Sequence, residues 1–382
     1  MQVFDLFIPS HLKFGLDVVN RIGNVASEYG NKVMLVTEGI LHESKTISRI
    51  EGLLKDKGCE VFIFEDVIPN ATSEVASYGG QLARSSFCDV VIGLGGVRAL
   101  SIAKCIAMLG TNDGDLSDYL DGKVVTRPSL PYIEIPSTPR NPFMFRDEFW
   151  ITDSRTRASR IIKLKENTTK YILFDPILTT SLPRRYTATT VLDTLANAIE
   201  GYISTSSNFL SDILFIQSIE FIGKYLINAV NIPDDLNARS FLSLGGLMTS
   251  MGLSMSHTGA CAAISYVLSS KYKIHKSLSS SVMLPFVMDF NITAVPNKLV
   301  KIAQALGEDI KGLTVVEAAI KSVERVRKLI IELQLPVKLE EFDLNKDEMI
   351  NVADEARKMD SFNYLPRTCT SEELYAILQA AY

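Results

Sequence analysis

The chain has 382 residues, 47% of them hydrophobic and 22% charged, and 39 Lys+Arg against 44 Asp+Glu leave a formal charge of −5. That length fits two or three domains, and that composition supplies ample core and excludes global disorder. The mild acidic balance excludes the basic character of a nucleic-acid binder. No apolar run approaches the roughly 18 residues needed to cross a bilayer, so no membrane partner is expected. The opening stretch MQVFDLFIPSHLKFG lacks the basic-then-apolar order of a secretion signal. Five scattered cysteines without a CxxC read as reduced thiols, and a cytoplasmic location is the expectation.

The first half alternates two periodicities. Lys32–Thr37 reads as a buried strand, 44–57 as a helix with apolar residues at Ile47, Ile50, Leu53 and Leu54, and Glu60–Phe64 as a second strand. A helix over 73–86, a strand over 89–93 and a helix over 100–109 follow. Further strands fall at 131–136 and 171–175, with an antiparallel hairpin between them, 148–152 against 158–162. The segment 108–127 reads as a loop. Alternating strands and helices of this kind predict βαβ units and a parallel sheet. After Leu182-Pro183 the pattern turns helical, over 187–203, 210–230, 234–254 and 315–333, the last closed off by Pro336. The expected organisation is an α/β domain over 1–182 and an all-helical domain over 183–382.

The strongest local motif is Gly93-Leu-Gly-Gly-Val-Arg-Ala-Leu-Ser-Ile-Ala-Lys104, set between a strand and a helix. Glycines there let the backbone approach a phosphate, and the helix start attracts the anion. By itself a short glycine cluster is equally a tight strand-to-helix turn.

This segment resembles the Gly-Gly-Gly-Ser-x-x-Asp-x-Ala-Lys turn of the iron-containing (group III) alcohol dehydrogenases, relatives of glycerol dehydrogenase and dehydroquinate synthase. The resemblance runs nearly end to end. It takes in Pro69-Asn-Ala-Thr72, Asp193-Thr-Leu-Ala-Asn-Ala-Ile-Glu-Gly-Tyr202, Ala263-Ile-Ser-Tyr266, the run Met283–Asn291, and Asp360 to Arg367. It implies a Rossmann-like dinucleotide-binding α/β domain, a helical domain, and a dehydroquinate synthase-like architecture with the active site in the cleft. It also implies NAD or NADP, a divalent Fe or Zn, a small alcohol or polyol substrate, and a homodimer.

Carried over position by position, the metal's Asp is Asp193, and its three His are Asn197, Ala262 and Lys276. Amide oxygen binds Zn or Fe weakly and alanine not at all, so the expected metal is absent. Lys276 either fills the vacated space and pairs with Asp193, or turns to solvent. His257, Cys261 and His275 offer a makeshift alternative site; helix packing is the plainer reading of all three. On the cofactor side Gly93, Gly95, Gly96 and Thr138 persist. Glu38 stands where an acid would accept from a ribose hydroxyl and favour NAD over NADP. Val97 replaces the third glycine, at a position expected to need positive φ. Arg98 and Arg140 stand in the two nucleotide loops, as holders of an anionic ligand or as partners of local acids such as Asp147 or Asp118.

Three functional readings follow. The first is an NAD-dependent dehydrogenase by resemblance. The second is a pseudoenzyme that keeps the fold for ligand binding or interaction. The third is a metal-free enzyme with Lys276 or Tyr266 as proton donor.

Overall fold

The structure, a computed structural model, describes residues 4, 6–8, 10–67 and 71–382. Pro69 and Asn70, part of one stretch of family resemblance, lie outside them. The chain divides into two compact units, Phe7–Leu182 and Pro183–Tyr382, and Phe4 and Leu6 group with the second.

In the first unit the order is β1 (His11–Phe14), α1 (Ile22–Ser27), β2 (Lys32–Val36), α2 (Thr46–Lys55), β3 (Glu60–Phe64), α3 (Ser73–Ser85), β4 (Val90–Gly95) and α4 (Val97–Leu109). There follow α5 (Leu116–Leu120), β5 (Tyr132–Pro136), the hairpin β6 (Glu148–Thr152) and β7 (Ser159–Lys163), and β8 (Thr169–Phe174). Six strands form one parallel sheet in the order β1-β8-β5-β4-β2-β3. The hairpin pairs antiparallel, Phe149 facing Ile162. The segment 108–127, expected as loop, contains α5, which is too short for periodicity to show; Asp115 and Asp118 close a capping box at its start.

Strand order places the site. From β2 the chain moves outward to β3, then returns to β4 on the other side of β2 and continues to β5. Connections after β2 and β4 thus diverge, which opens a crevice beyond the carboxyl ends of those two strands, the usual ligand position in such sheets. One face of the sheet packs α1 and α2 residues (Ile22, Ile47, Ile50, Leu54) on Val33, Leu35, Val90, Ile92 and Ile133. On the other face α4 presses close to β4 and β5. A Cβ on Gly93 would stand 2.6 Å from the Tyr132 hydroxyl and 2.9 Å from the Ala103 Cβ, so only glycine lets that helix approach.

The second unit is helical among its described residues. Its helices are α6 (Arg184–Ile203), α7 (Phe209–Asn231), α8 (Leu236–Leu253), α9 (Ala260–Tyr272), α10 (Lys276–Asn291), α11 (Pro296–Ala305), α12 (Val315–Glu332), α13 (Met349–Arg357) and α14 (Ser371–Ala381). Their shared core includes Leu192, Leu195, Ile199, Phe215, Ile222, Ile264, Leu284 and Val326. Contrary to the sequence expectation, α7 is by length and composition apolar enough to cross a bilayer. It also carries Asp212, Glu220 and Lys224, and it buries Phe215, Ile219, Ile222 and Leu226 in the helical core. All five cysteines are free and buried.

Candidate functional site

In the first unit the crevice after β2 and β4 gathers Glu38, Gly95, Gly96 and Thr138. Gly95 has φ +148°, a conformation that admits glycine with little strain, and it turns the chain into α4. Val97 is already helical, and its φ is not positive. The expected valine strain is therefore absent: the residue needing the unusual conformation lies two positions earlier. A Cβ on Gly96 would be 3.4 Å from Glu38 Oε1 and 3.6 Å from Thr138 Cγ2, so both side chains border this turn.

Glu38, expected as a ribose acceptor, turns its carboxylate onto the turn itself. The Gly96 N–H donates to Glu38 Oε1 at 3.1 Å, and the Ala99 N–H also donates to it. Burial pushes the Glu38 carboxyl above its ordinary value, against the pull of those two N–H groups and of the Arg98 charge. Asp147 accepts from the Asn167 and Thr168 N–H groups, and Asp118 from that of Asp115. Arg140 is buried, and its carbonyl accepts from the Thr138 hydroxyl at 3.3 Å.

The loop 137–146, which contains the segment 137–144 that resembles the family's second nucleotide loop, is anchored by residues that sequence reasoning passed over. Lys104 Nζ, reaching from α4, donates to the carbonyls of Phe143 (2.5 Å) and Arg146 (3.1 Å) and lies 3.9 Å from Glu134 Oε2. Asn141 Nδ2 donates to Glu134 Oε1 at 2.5 Å. Burial lowers the Lys104 ammonium pKa and raises that of Glu134, each effect opposed by the partner's charge. The sequence held one signal for this cluster: an acid between Ile133 and Ile135 in a strand otherwise fit for a core.

In the second unit α6 presents Asp193, Asn197 and Glu200, at i, i+4 and i+7, from one face of the helix. All three are buried. Lys276 is the first residue of α10, and its Nζ donates to Asp193 Oδ1 at 2.6 Å, with side-chain exposures of 5% and 0%. The Ser277 hydroxyl donates to Asp193 Oδ2 at 3.2 Å. A cation in the first turn of a helix faces the positive end of the helix dipole; the carboxylate between Lys276 and Ser277 offsets that. The Lys276 ammonium also lies 5.0 Å from the centre of the Tyr266 ring, on α9.

Glu200 was missed, although it stands in the quoted α6 segment. It accepts from the N–H groups of Gly259 (2.9 Å), Cys261 (2.6 Å) and Ala262 (3.1 Å), and so caps the start of α9. Burial raises its carboxyl pKa despite those donors.

The residues do not fit a divalent metal. Asn197 is a weak ligand, Ala262 has no donor, and an ammonium sits on the remaining carboxylate. No group of three or more His, Cys, Asp or Glu able to hold an ion exists among the described residues. The makeshift site from His257, Cys261 and His275 is thereby corrected. His257 stacks on Tyr364 with ring centroids 3.6 Å apart, Cys261 Sγ meets the Ser280 carbonyl at 3.4 Å, and His275 packs edge-on to Tyr186. The closing Arg367 lies over the Phe290 ring and pairs with Glu373, a structural role.

Comparison with known proteins decides the family. The pattern of the iron-containing alcohol dehydrogenases matches residues 9–176, and that of the Fe-containing alcohol dehydrogenase family C-terminal region matches residues 187–382. The chain belongs to the iron-containing alcohol dehydrogenase family. It is similar to the 1,3-propanediol dehydrogenase of Klebsiella pneumoniae, 27% identical over all of this chain and 99% of that one. It is also similar to the NAD-dependent methanol dehydrogenase of Bacillus methanolicus, 25% identical over 99% of each. Among solved structures, a 1,3-propanediol oxidoreductase superposes with a TM-score of 0.95 at 27% identity, covering all of both chains. The Rossmann-like α/β unit and helical unit are thus those of this family, with its dehydroquinate synthase-like fold.

Proposed function

We propose that the protein is an NAD(H)-linked oxidoreductase of a small alcohol, polyol or the corresponding carbonyl, and that it works without a divalent metal. The family's relatives support the reaction class and NAD as the cofactor, and Gly95, Gly96 and Thr138 would border the bound dinucleotide. Bound there, the cofactor supplies the hydride acceptor or donor. The observation that carries the metal-free reading is the 2.6 Å contact between Lys276 Nζ and Asp193 Oδ1. Positive charge is what a metal contributes to the alcohol oxygen as its proton departs, and an ammonium contributes charge of the same sign. Tyr266, whose ring centre lies 5.0 Å from that ammonium, would exchange the proton.

The test joins metal content to turnover. Purified protein should hold no stoichiometric Zn or Fe, and reduction of short aldehydes by NADH should persist in EDTA and fall steeply in Lys276→Met. One tightly held ion per chain, or activity abolished by chelation, contradicts the reading. The triple variant Asn197→His, Ala262→His, Lys276→His should acquire zinc affinity if these positions are the family's ligand positions.

A second reading is a protein that keeps the scaffold for ligand binding or interaction without turnover. Two observations favour it: the Glu38 carboxylate on the Gly96 N–H, and the anchored loop 137–146. Absence of turnover with any short alcohol or aldehyde, in a protein that still binds a ligand, selects it. Cytoplasmic location and a homodimer belong to this proposal as well, the first from the reduced thiols and the second from the family resemblance.

A further inference from the structure

Helix α4 runs for 13 residues from Val97, and Gly96 is its N-cap. The N–H groups at such a start are unsatisfied by the helix and carry its partial positive charge. A diphosphate settles on them when a glycine turn lets it come close. Here the turn is open in the backbone sense, with Gly95 at φ +148° and no side chain on either glycine. The space is nonetheless filled from within the chain. Glu38 Oε1 takes the Gly96 N–H at 3.1 Å, and the Ala99 N–H donates to the same carboxylate. A Cβ on Gly95 would meet Glu38 Oε1 at 3.2 Å, and one on Gly96 would meet it at 3.4 Å. The oxygen therefore lies in the hollow that the two glycines keep clear. Arg98, the second residue of α4, adds its attraction to the same carboxylate.

We propose that Glu38 is an internal occupant of the diphosphate seat, so that a dinucleotide must displace its carboxylate from Gly96 before its own phosphates can bind. Glu38 thus sets ligand choice by competition, disfavouring phosphate-bearing ligands relative to uncharged nucleosides. Displacement is mechanically simple. Glu38 is extended (φ −116°, ψ 133°) just beyond β2 and its own carbonyl is held by the Leu41 N–H at 3.0 Å, so only the side chain has to swing. A carboxylate expelled from this position leaves two N–H donors to be taken over by phosphate oxygens, an exchange of one anion for another.

This inference rests on the reading that the crevice serves a dinucleotide. The sign of a single substitution tests it. Full-length wild type, Glu38→Gln and Glu38→Ala are titrated calorimetrically with ADP, NAD and adenosine, with melting curves run without ligand to verify folding. Both variants should bind ADP about tenfold or more tightly than wild type, roughly 1.4 kcal/mol, while adenosine affinity stays unchanged. ADP affinity that falls or stays level in both variants overturns the proposal and returns Glu38 to the role of a ribose acceptor. Equal tightening for adenosine and ADP also overturns it, because the gain would not arise at the phosphate seat. Failure of all three proteins to bind ADP or NAD removes the dinucleotide reading, and the proposal with it.

Discussion

Two seats in this molecule are each filled by the chain's own charge. After β4, an anion-binding turn holds the Glu38 carboxylate. Beside α6, the Lys276 ammonium sits on Asp193, where the family resemblance places a metal. In each proposal the occupant has the charge sign of the ligand it would replace. The two differ in how firmly they sit. Glu38 stands at the end of an extended segment, its carboxylate buried but held only by backbone donors of a turn. Lys276 is almost wholly buried, fixed to the first turn of a helix and joined to a carboxylate with no exposure. A removable side chain modulates a site; a buried ion pair replaces one.

The sharpest way to break this contrast is to remove one charge at a time. Lys276→Met should leave the Asp193 carboxylate buried without its ammonium and cost about 3–5 kcal/mol in urea unfolding. The double variant Lys276→Met, Asp193→Asn should recover most of that loss, because a buried pair replaced as a unit is far less costly than one broken. A full loss that persists in the double variant would mean that Lys276 acts by packing. Next in size, Lys104→Met should cost about 2–3 kcal/mol, since two carbonyls of the 137–146 loop lose their donor while Glu134 can take up a proton. Amide exchange over that loop should accelerate in the same variant. Glu200→Gln should cost about 1–2 kcal/mol, as the amide oxygen keeps some of the three N–H contacts at the start of α9 but loses the charge.

The smallest effect is one of pH. The folded Glu38 carboxyl lies above its ordinary value of 4.5, so the folded protein binds its proton more readily than the unfolded chain does. The resulting stabilisation is fully present below the unfolded value and is lost as pH rises through the folded one. The stability of wild type relative to Glu38→Gln should thus be greatest below the unfolded value and decline as pH rises through the folded one. A difference that grows with pH would show that the two N–H donors outweigh burial, and would place Glu38 nearer to Lys276 in firmness.

Much of this was legible in the sequence because it depends on periodicity. Lys32–Val36 and Glu60–Phe64 are apolar runs bounded by turn residues, and α6, α7 and α12 repeat apolar positions at helical spacing, so their ends fall within a few residues of expectation. Helices α9 and α10 were not read as such. Small residues and serines fill their buried faces (Ala262, Ala263, Ser265, Ser277, Ser279, Ser280), which blurs the contrast that periodicity needs. Of the sites, the residue types were readable and the contacts only in part. Pairing was among the options for Asp193 and Lys276, but carboxylates such as Glu38 and Glu200 chose backbone N–H groups. Nothing in a linear sequence reports which main-chain donors another segment leaves open. Val97 shows the same limit, since the register of the glycine turn was shifted by two residues from where the motif suggested.

The anchoring of the 137–146 loop by Lys104 has a kinetic corollary. A loop tied at two carbonyls has little conformational freedom left to lose. The loop should therefore add no slow step to ligand association, which leaves displacement of the Glu38 side chain, a rotamer change, as the step that distinguishes phosphate-bearing ligands.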